Sequence, residues 1–259
     1  MTGDTGGAGV LDRKTDRWKR YGRILAAVLF PERCACCGKA IRPLTLCCAA
    51  CRETICTVDP PVCRLCGCNE ADCTCGHASS LLEGRAAPFY YEGTVRKGIL
   101  RLKEQGKHDS AEFFGMAMGE TVKREWPNIK FSLVVPVPVT QEVRRRRGYN
   151  QCVLLAKELA DSLGLPVCEA LHKIHETRAQ KELPAVFRRG NVLGAYDVDA
   201  NIPLVGATVL LVDDISTTGS TMQECAKMLR ICGVEKVYGI TAAVDCLSNN
   251  QKEGIIDAG

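Results

Sequence analysis

Membrane-spanning signals are missing from this chain of 259 residues. The longest early apolar run, residues 24–30, falls far short of the roughly 20 residues that a bilayer requires. Residues 1–16 lack an apolar core and carry Asp4, Asp12 and Asp16, so no secretory signal is expected there. The expectation is a soluble, cytoplasmic protein with no stable membrane insertion. Charge of one sign is scarce as well. Against 34 Lys and Arg stand 30 Asp and Glu, and a net charge of +4 is too weak to argue nucleic-acid binding alone. A phosphate-binding G-x-x-x-x-G-K-[ST] loop is also absent. The nearest approach runs from Gly93 to Gly98 and continues with Ile99 instead of Lys, which disfavours a P-loop nucleotide site. No internal repeat appears beyond paired cysteines.

Cysteine, by contrast, is abundant. Of 17 cysteines, 12 lie between Cys34 and Cys75. In a reducing compartment that density points to metal, not to disulfides. Cys34 and Cys37, Cys48 and Cys51, and Cys63 and Cys66 are C-x-x-C pairs, with Cys73 and Cys75 a tighter fourth. Two intervening residues let both sulfurs reach one tetrahedral ion, and Gly38 and Gly67 ease the backbone past it. Four pairs supply two zinc sites, assigned as Cys34, Cys37, Cys48, Cys51 and Cys63, Cys66, Cys73, Cys75. Spacing leaves other pairings open: alternate knuckles sharing an ion, Cys47 in place of Cys48, or His77 in place of Cys75. The same ligands also suit an iron–sulfur cluster. No open coordination position or nearby base is evident, so the sites read as structural. Cys36, Cys47, Cys56 and Cys68 are left over, and Cys152, Cys168, Cys225, Cys232 and Cys246 read as small core residues.

The rest of the chain alternates strand and helix signals, which predicts an α/β fold: a parallel sheet with helices on both faces, behind a small N-terminal zinc-binding module. Three segments are expected: residues 1–32 as a disordered N-terminus and an amphipathic helix, 33–80 as the double zinc module, and 85–259 as the larger domain. A linker is expected over 79–87 and a strand over 87–91. A helix capped by Ser110 should bury Phe114, Met118 and Val122. Strands at 131–135, 208–212 and 237–244 are expected, with a helix from about Asn150 to Leu163 that Gly164 stops.

Residues 209–221 carry the chemistry. Val209, Leu210, Leu211 and Val212 read as a strand buried on both faces. Asp213 and Asp214 follow, then Ser216, Thr217, Thr218, Gly219, Ser220 and Thr221 lead into a helix. Ligands of open α/β sheets gather at the carboxyl ends of strands. A Gly/Ser/Thr turn opening a helix offers N–H groups and hydroxyls to a phosphate, and two carboxylates suit a vicinal diol. Together they describe a site for 5-phosphoribose. The competing readings are a Walker B strand without its partner loop, and a strand-turn-helix that is merely capped.

The segment resembles the ribose-5-phosphate loop of type I phosphoribosyltransferases. With the cysteine knuckles, Lys103, Val-Pro-Val-Pro at 135–138, Arg-Arg-Gly-Tyr-Asn-Gln at 146–151, Gln180 and Arg-Arg-Gly-Asn at 188–191, the chain from Trp18 to Val244 resembles the ComF family. These are competence-associated, phosphoribosyltransferase-like proteins. The resemblance implies binding of 5-phosphoribosyl diphosphate with magnesium. Asp213 and Asp214 would hold the ribose diol, and Thr217, Thr218, Gly219, Ser220 and Thr221 the 5-phosphate. Pro138, Val139 and Thr140 would form the pyrophosphate loop, and residues 178–191 the flexible catalytic loop. It implies a link to DNA uptake in natural transformation, alongside a competence helicase. One departure stands out: the position of the purine-salvage Asp base is Thr217 here. The rival reading is a non-catalytic adaptor that contacts single-stranded DNA or the helicase through the zinc module and the arginines at 144–147. The module offers few aromatic side chains for base stacking, which weighs against that reading.

Overall fold

The computed structural model describes residues 32–75, 79–105, 108–173, 196–199 and 201–246. The early amphipathic helix, His77 and the loop at 178–191 lie outside the described residues. In chain order the elements are α1 (Ala49–Arg52), β1 (Gly84–Ala86), β2 (Phe89–Tyr90), α2 (Gly93–Gln105), α3 (His108–Glu125) and β3 (Leu133–Pro136). Then come α4 (Gln141–Arg147), α5 (Gln151–Leu163), β4 (Leu171–Lys173), β5 (Tyr196–Val198), β6 (Thr208–Ser216), α6 (Ser220–Ile231) and β7 (Lys236–Val244).

The main sheet runs β1-β7-β6-β3, every pair parallel, with β2 also pairing β7. The chain is a type I phosphoribosyltransferase-like α/β fold with a cysteine-rich segment before it. Pleating explains the apolar runs. Leu210 and Val212 join Phe114, Met118, Leu155 and Leu159 on one face, while Val209 and Leu211 join Met222, Cys225 and Leu229 on the other. A strand covered on both sides must be apolar throughout. β4 and β5 form a separate antiparallel pair.

Three expectations change. β6 does not stop at Val212: it carries both aspartates in the ladder and ends at Ser216. The supposed linker over 79–87 contains β1, a three-residue edge strand whose Gly-Arg-Ala sequence has no alternation to betray it. Ser110 is not a cap, because α3 already starts at His108. Its hydroxyl is buried and donates to the Ala35 carbonyl at 2.8 Å, tying α3 to the cysteine-rich segment.

Candidate ligand cleft and cysteine clusters

The cysteines gather as two groups, Cys34, Cys37, Cys48, Cys51 and Cys63, Cys66, Cys73, Cys75, each with its sulfurs within 4.8 Å of one another. Consecutive pairs share a group, so alternate pairing is not what the fold forms. Sulfur separations of 3.8 Å for Cys37 and Cys48 and 3.7 Å for Cys66 and Cys73 suit a tetrahedral ion. Bonds of about 2.3 Å place such ligands about 3.8 Å apart. Each group can therefore hold a metal ion.

The two knuckles are built alike. The Gly38 N–H donates to the Cys34 carbonyl, and the Gly67 N–H to the Cys63 carbonyl, at 2.9 and 2.8 Å. Both glycines sit in the left-handed region, φ 75° and 84°. Burial pushes the Cys34 thiol up, but N–H groups of Cys37, Cys48 and Cys36 aimed at the sulfur outweigh it and bring the pKa down to about 6. Cys63 is lowered too: burial is overcome by a hydrogen bond from Cys73 and by backbone N–H groups. A low thiol pKa favours the thiolate that a metal binds.

Of the leftover cysteines, Cys36 and Cys47 pack beneath the first cluster. Cys68 and Cys246 are joined as a disulfide across 178 positions, with Cα atoms 6.3 Å apart. Neither was expected to pair, and no local spacing reports on a contact that long.

The carboxyl ends of β3 and β6 open into a cleft of about 430 Å³. Pro138, Val139, Thr140, Asp213, Asp214, Thr217 and Thr221 all line it. Thr218, Gly219 and Ser220 complete a smaller adjoining hollow with Thr217 and Thr221. All the ribose-phosphate and pyrophosphate positions expected from sequence are thus brought to one sheet edge. Pro138 has no N–H, so N–H donation there can come only from Val139 and Thr140. The Thr140 hydroxyl caps α4, accepting from the Val143 N–H at 3.2 Å.

Strand pleating sends the two aspartates to opposite faces, and the start of α5 straddles them. Asn150 caps that helix, its side chain accepting from the Cys152 N–H at 2.9 Å. Gln151 then donates to Asp214 at 2.8 Å, and the Cys152 thiol to Asp213 at 3.3 Å. Lys103 of α2 pairs with the other Asp214 oxygen at 3.1 Å. Asp213 has no such cation. Burial, then the neighbouring Asp214 charge, raises its pKa to about 7, against weaker help from the Asp214 N–H, Cys152 and Lys103. Burial also pushes the Cys152 thiol far up, so it stays protonated as a donor. Cys152 is more than the core filler its isolation suggested.

Sequence reasoning did not place Lys103, Arg147, Gln151, Lys173 or Tyr196 in the site, yet all line the cleft. Arg147, the last residue of α4, donates to Gln151, the first of α5, at 2.8 Å, and Lys173 lies 5.3 Å over the Tyr196 ring. Lys103 arrives from a helix more than a hundred residues away from Asp214.

Comparison with known proteins follows the same lines. Residues 150–257 match the phosphoribosyl transferase domain. Competence protein F of Haemophilus influenzae is 37% identical over 116 residues, which cover 42% of this chain and 50% of that protein. Competence protein ComFC of Bacillus subtilis is 25% identical over 199 residues, covering 73% of this chain and 80% of that protein. The chain is thus similar to competence proteins F and ComFC, and carries a phosphoribosyl transferase domain match over residues 150–257. It spans half the length of the Haemophilus ComF relative. Among solved structures, a glutamine phosphoribosylpyrophosphate amidotransferase from B. subtilis aligns at TM-score 0.40 and 18% identity, over 56% of this chain and 30% of that one. No helix among the described residues is long and apolar enough to cross a membrane.

Proposed function

We propose that the cleft binds 5-phosphoribosyl diphosphate with magnesium, and that this phosphoribosyltransferase-like protein serves DNA uptake. One observation carries the reading. Two carboxylates, three cationic side chains (Lys103, Arg147 and Lys173) and a Ser/Thr turn at a helix start face one cleft. A diol flanked by two phosphate groups needs that set of partners. Asp213 and Asp214 take the ribose hydroxyls. The amides and hydroxyls at 217–221 take the 5-phosphate, aided by the helix dipole. The N–H groups of Val139 and Thr140, with the cations, face the diphosphate. Asp214, held at both oxygens, is the rigid acceptor. Burial, then the Asp214 charge, raises the Asp213 pKa, and a divalent ion arriving with the ligand would favour its ionised form. Bound magnesium would stabilise the departing diphosphate as a Lewis acid. The cysteine clusters take two structural zinc ions, closing a module over 33–80 against a transferase-like domain over 85–259. The names of the competence relatives support the link to DNA uptake.

Calorimetric titration of wild type and an Asp213→Asn, Asp214→Asn double variant tests this. Losing two charged acceptors at ~1.5 kcal/mol each should weaken the complex about 100-fold or more. Equal affinity in both, or no binding by wild type, removes the reading. A second reading rests on α4, whose Arg144, Arg145 and Arg146 are exposed together. It is an adaptor surface for single-stranded DNA or for a competence helicase.

A further inference from the structure

Arg85, in β1, is a cation only 9% exposed. Its Nε has no hydrogen-bond partner among the described residues, and Nη1 lies 3.4 Å from the Ser216 hydroxyl. Two glycines clear its course. Gly239 is its register partner on β7, where a β-carbon would lie 3.3 Å from Arg85 Cγ. A β-carbon on Gly219 would lie 1.5 Å from Nη1. The side chain therefore crosses β7 over Gly239 and ends against Gly219, the residue that opens α6 from the phosphate turn. Gly219 also stands at φ 75°, so backbone and guanidinium both forbid a side chain there.

The strand bearing Arg85 also touches the second cysteine knuckle. The Arg85 N–H donates to the Arg64 carbonyl at 2.9 Å, and Gly67 packs on the Ala86 backbone. Burial lowers the Arg85 pKa, and the negative charge of Cys66, Cys75 and Cys63 opposes that. A buried guanidinium with an open donor costs folding free energy unless an anion answers it. Behind it is the second cysteine knuckle, fixed to its strand by the Arg64 and Gly67 contacts; ahead of it is the turn, whose amides and helix dipole already favour an anion.

We propose that Arg85 is a positioning residue of the phosphate turn, held from behind by the second cysteine knuckle, and that its charge makes the turn select a phosphate dianion. The proposal rests on the reading of residues 217–221 as the 5-phosphate site. Arg85 does not line the hollow itself, so it acts through the turn and through space, which is where a low-dielectric setting strengthens a charge.

Titration of the full, metal-loaded chain with three probes tests it: 5-phosphoribosyl diphosphate with magnesium, ribose 5-phosphate, and magnesium pyrophosphate. Arg85→Gln keeps a polar side chain and removes the charge. It should weaken the first two about tenfold and leave pyrophosphate, which lacks the sugar phosphate, within about twofold. Arg85→Lys should restore most of the loss, and Arg85→Met, a second neutral variant, should behave like Gln if Gln does not fold. A folded neutral variant with unchanged affinity for all three probes overturns the proposal. Equal loss on all three overturns it as well, because that marks collapse of the whole cleft. Wild-type binding that depends on Asp213 and Asp214 but not on Arg85 sinks this proposal alone. Absence of wild-type binding sinks it together with the reading beneath it.

Discussion

Asp213 and Asp214 are neighbours in sequence and opposites in environment. Asp214 is 5% exposed, yet Lys103 and Gln151 hold both its oxygens. Asp213 relies on a thiol and a backbone N–H, and its pKa rises to about 7 from an ordinary 3.8. The raised value has two consequences of opposite sign. The native state keeps a proton that the unfolded chain releases above about pH 4, so this group's contribution to stability falls as pH rises from there to about 7. Asp213→Asn should therefore stabilise the protein at pH 8, on the order of 2 kcal/mol, and much less at pH 5. Ligand binding, in contrast, needs the ionised acceptor. Affinity for 5-phosphoribosyl diphosphate should rise roughly tenfold from pH 6 to pH 8 in wild type and much less in Asp213→Asn. Thermal unfolding and titration at both pH values check the pair. A variant destabilised at pH 8 would show that Asp213 is not strained there.

At the scale of elements, α4 and α5 do different work although they adjoin. α4 forms because Thr140 caps it, Glu142 sits in its first turn and its arginines favour the C-terminal end of the dipole. Only Arg147 turns into the cleft, towards Gln151. The exposed Arg144, Arg145 and Arg146 are free of that duty, although Arg144 sits 3.8 Å from Glu169. Replacing these three with Glu should weaken any single-stranded DNA binding and lower its salt slope by about 2, near 0.7 for each phosphate no longer neutralised. Binding of 5-phosphoribosyl diphosphate should survive. An unchanged slope would make the run an ordinary solvated helix face.

For the whole molecule, the cysteine-rich segment is a layer of the structure. Ser110 on Ala35, Gly38 under the Arg101 guanidinium, Gly67 on β1 and the Cys68–Cys246 bridge all join it to the sheet or its helices. Metal removal should thus be felt everywhere. Chelation under reducing conditions, or Cys37→Ser or Cys66→Ser, should lower the thermal transition of the entire chain, because metal affinity in small cysteine modules is folding free energy, about 10 kcal/mol or more per structural zinc. Calorimetry should show one transition moving down. A separate, unshifted transition for the α/β domain would mean that the clusters support only themselves, and elemental analysis well below one zinc per chain would remove zinc altogether.

Local chemistry made much of this protein legible in the sequence. Apolar runs such as residues 209–212 announce buried parallel strands, paired cysteines announce clusters able to hold metal, and Asp-Asp before a Ser/Thr/Gly turn announces a polar cleft at the carboxyl end of the sheet. Each signal lies within one element or one turn, where spacing and conformation are set by the same few residues. Consecutive cysteine pairs are assigned to shared clusters from sequence, and the fold sets aside the alternate pairing that spacing leaves open. Tertiary structure alone decided that Cys68 meets Cys246. It also decided that Lys103 holds Asp214 and that Arg85 crosses β7 to reach Gly219. The Cys68–Cys246, Lys103–Asp214 and Arg85–Gly219 contacts each join residues more than a hundred positions apart, and nothing in a linear spacing encodes them. They follow from strand order, pleat direction and the room left by two glycines, and these exist only once the sheet has formed.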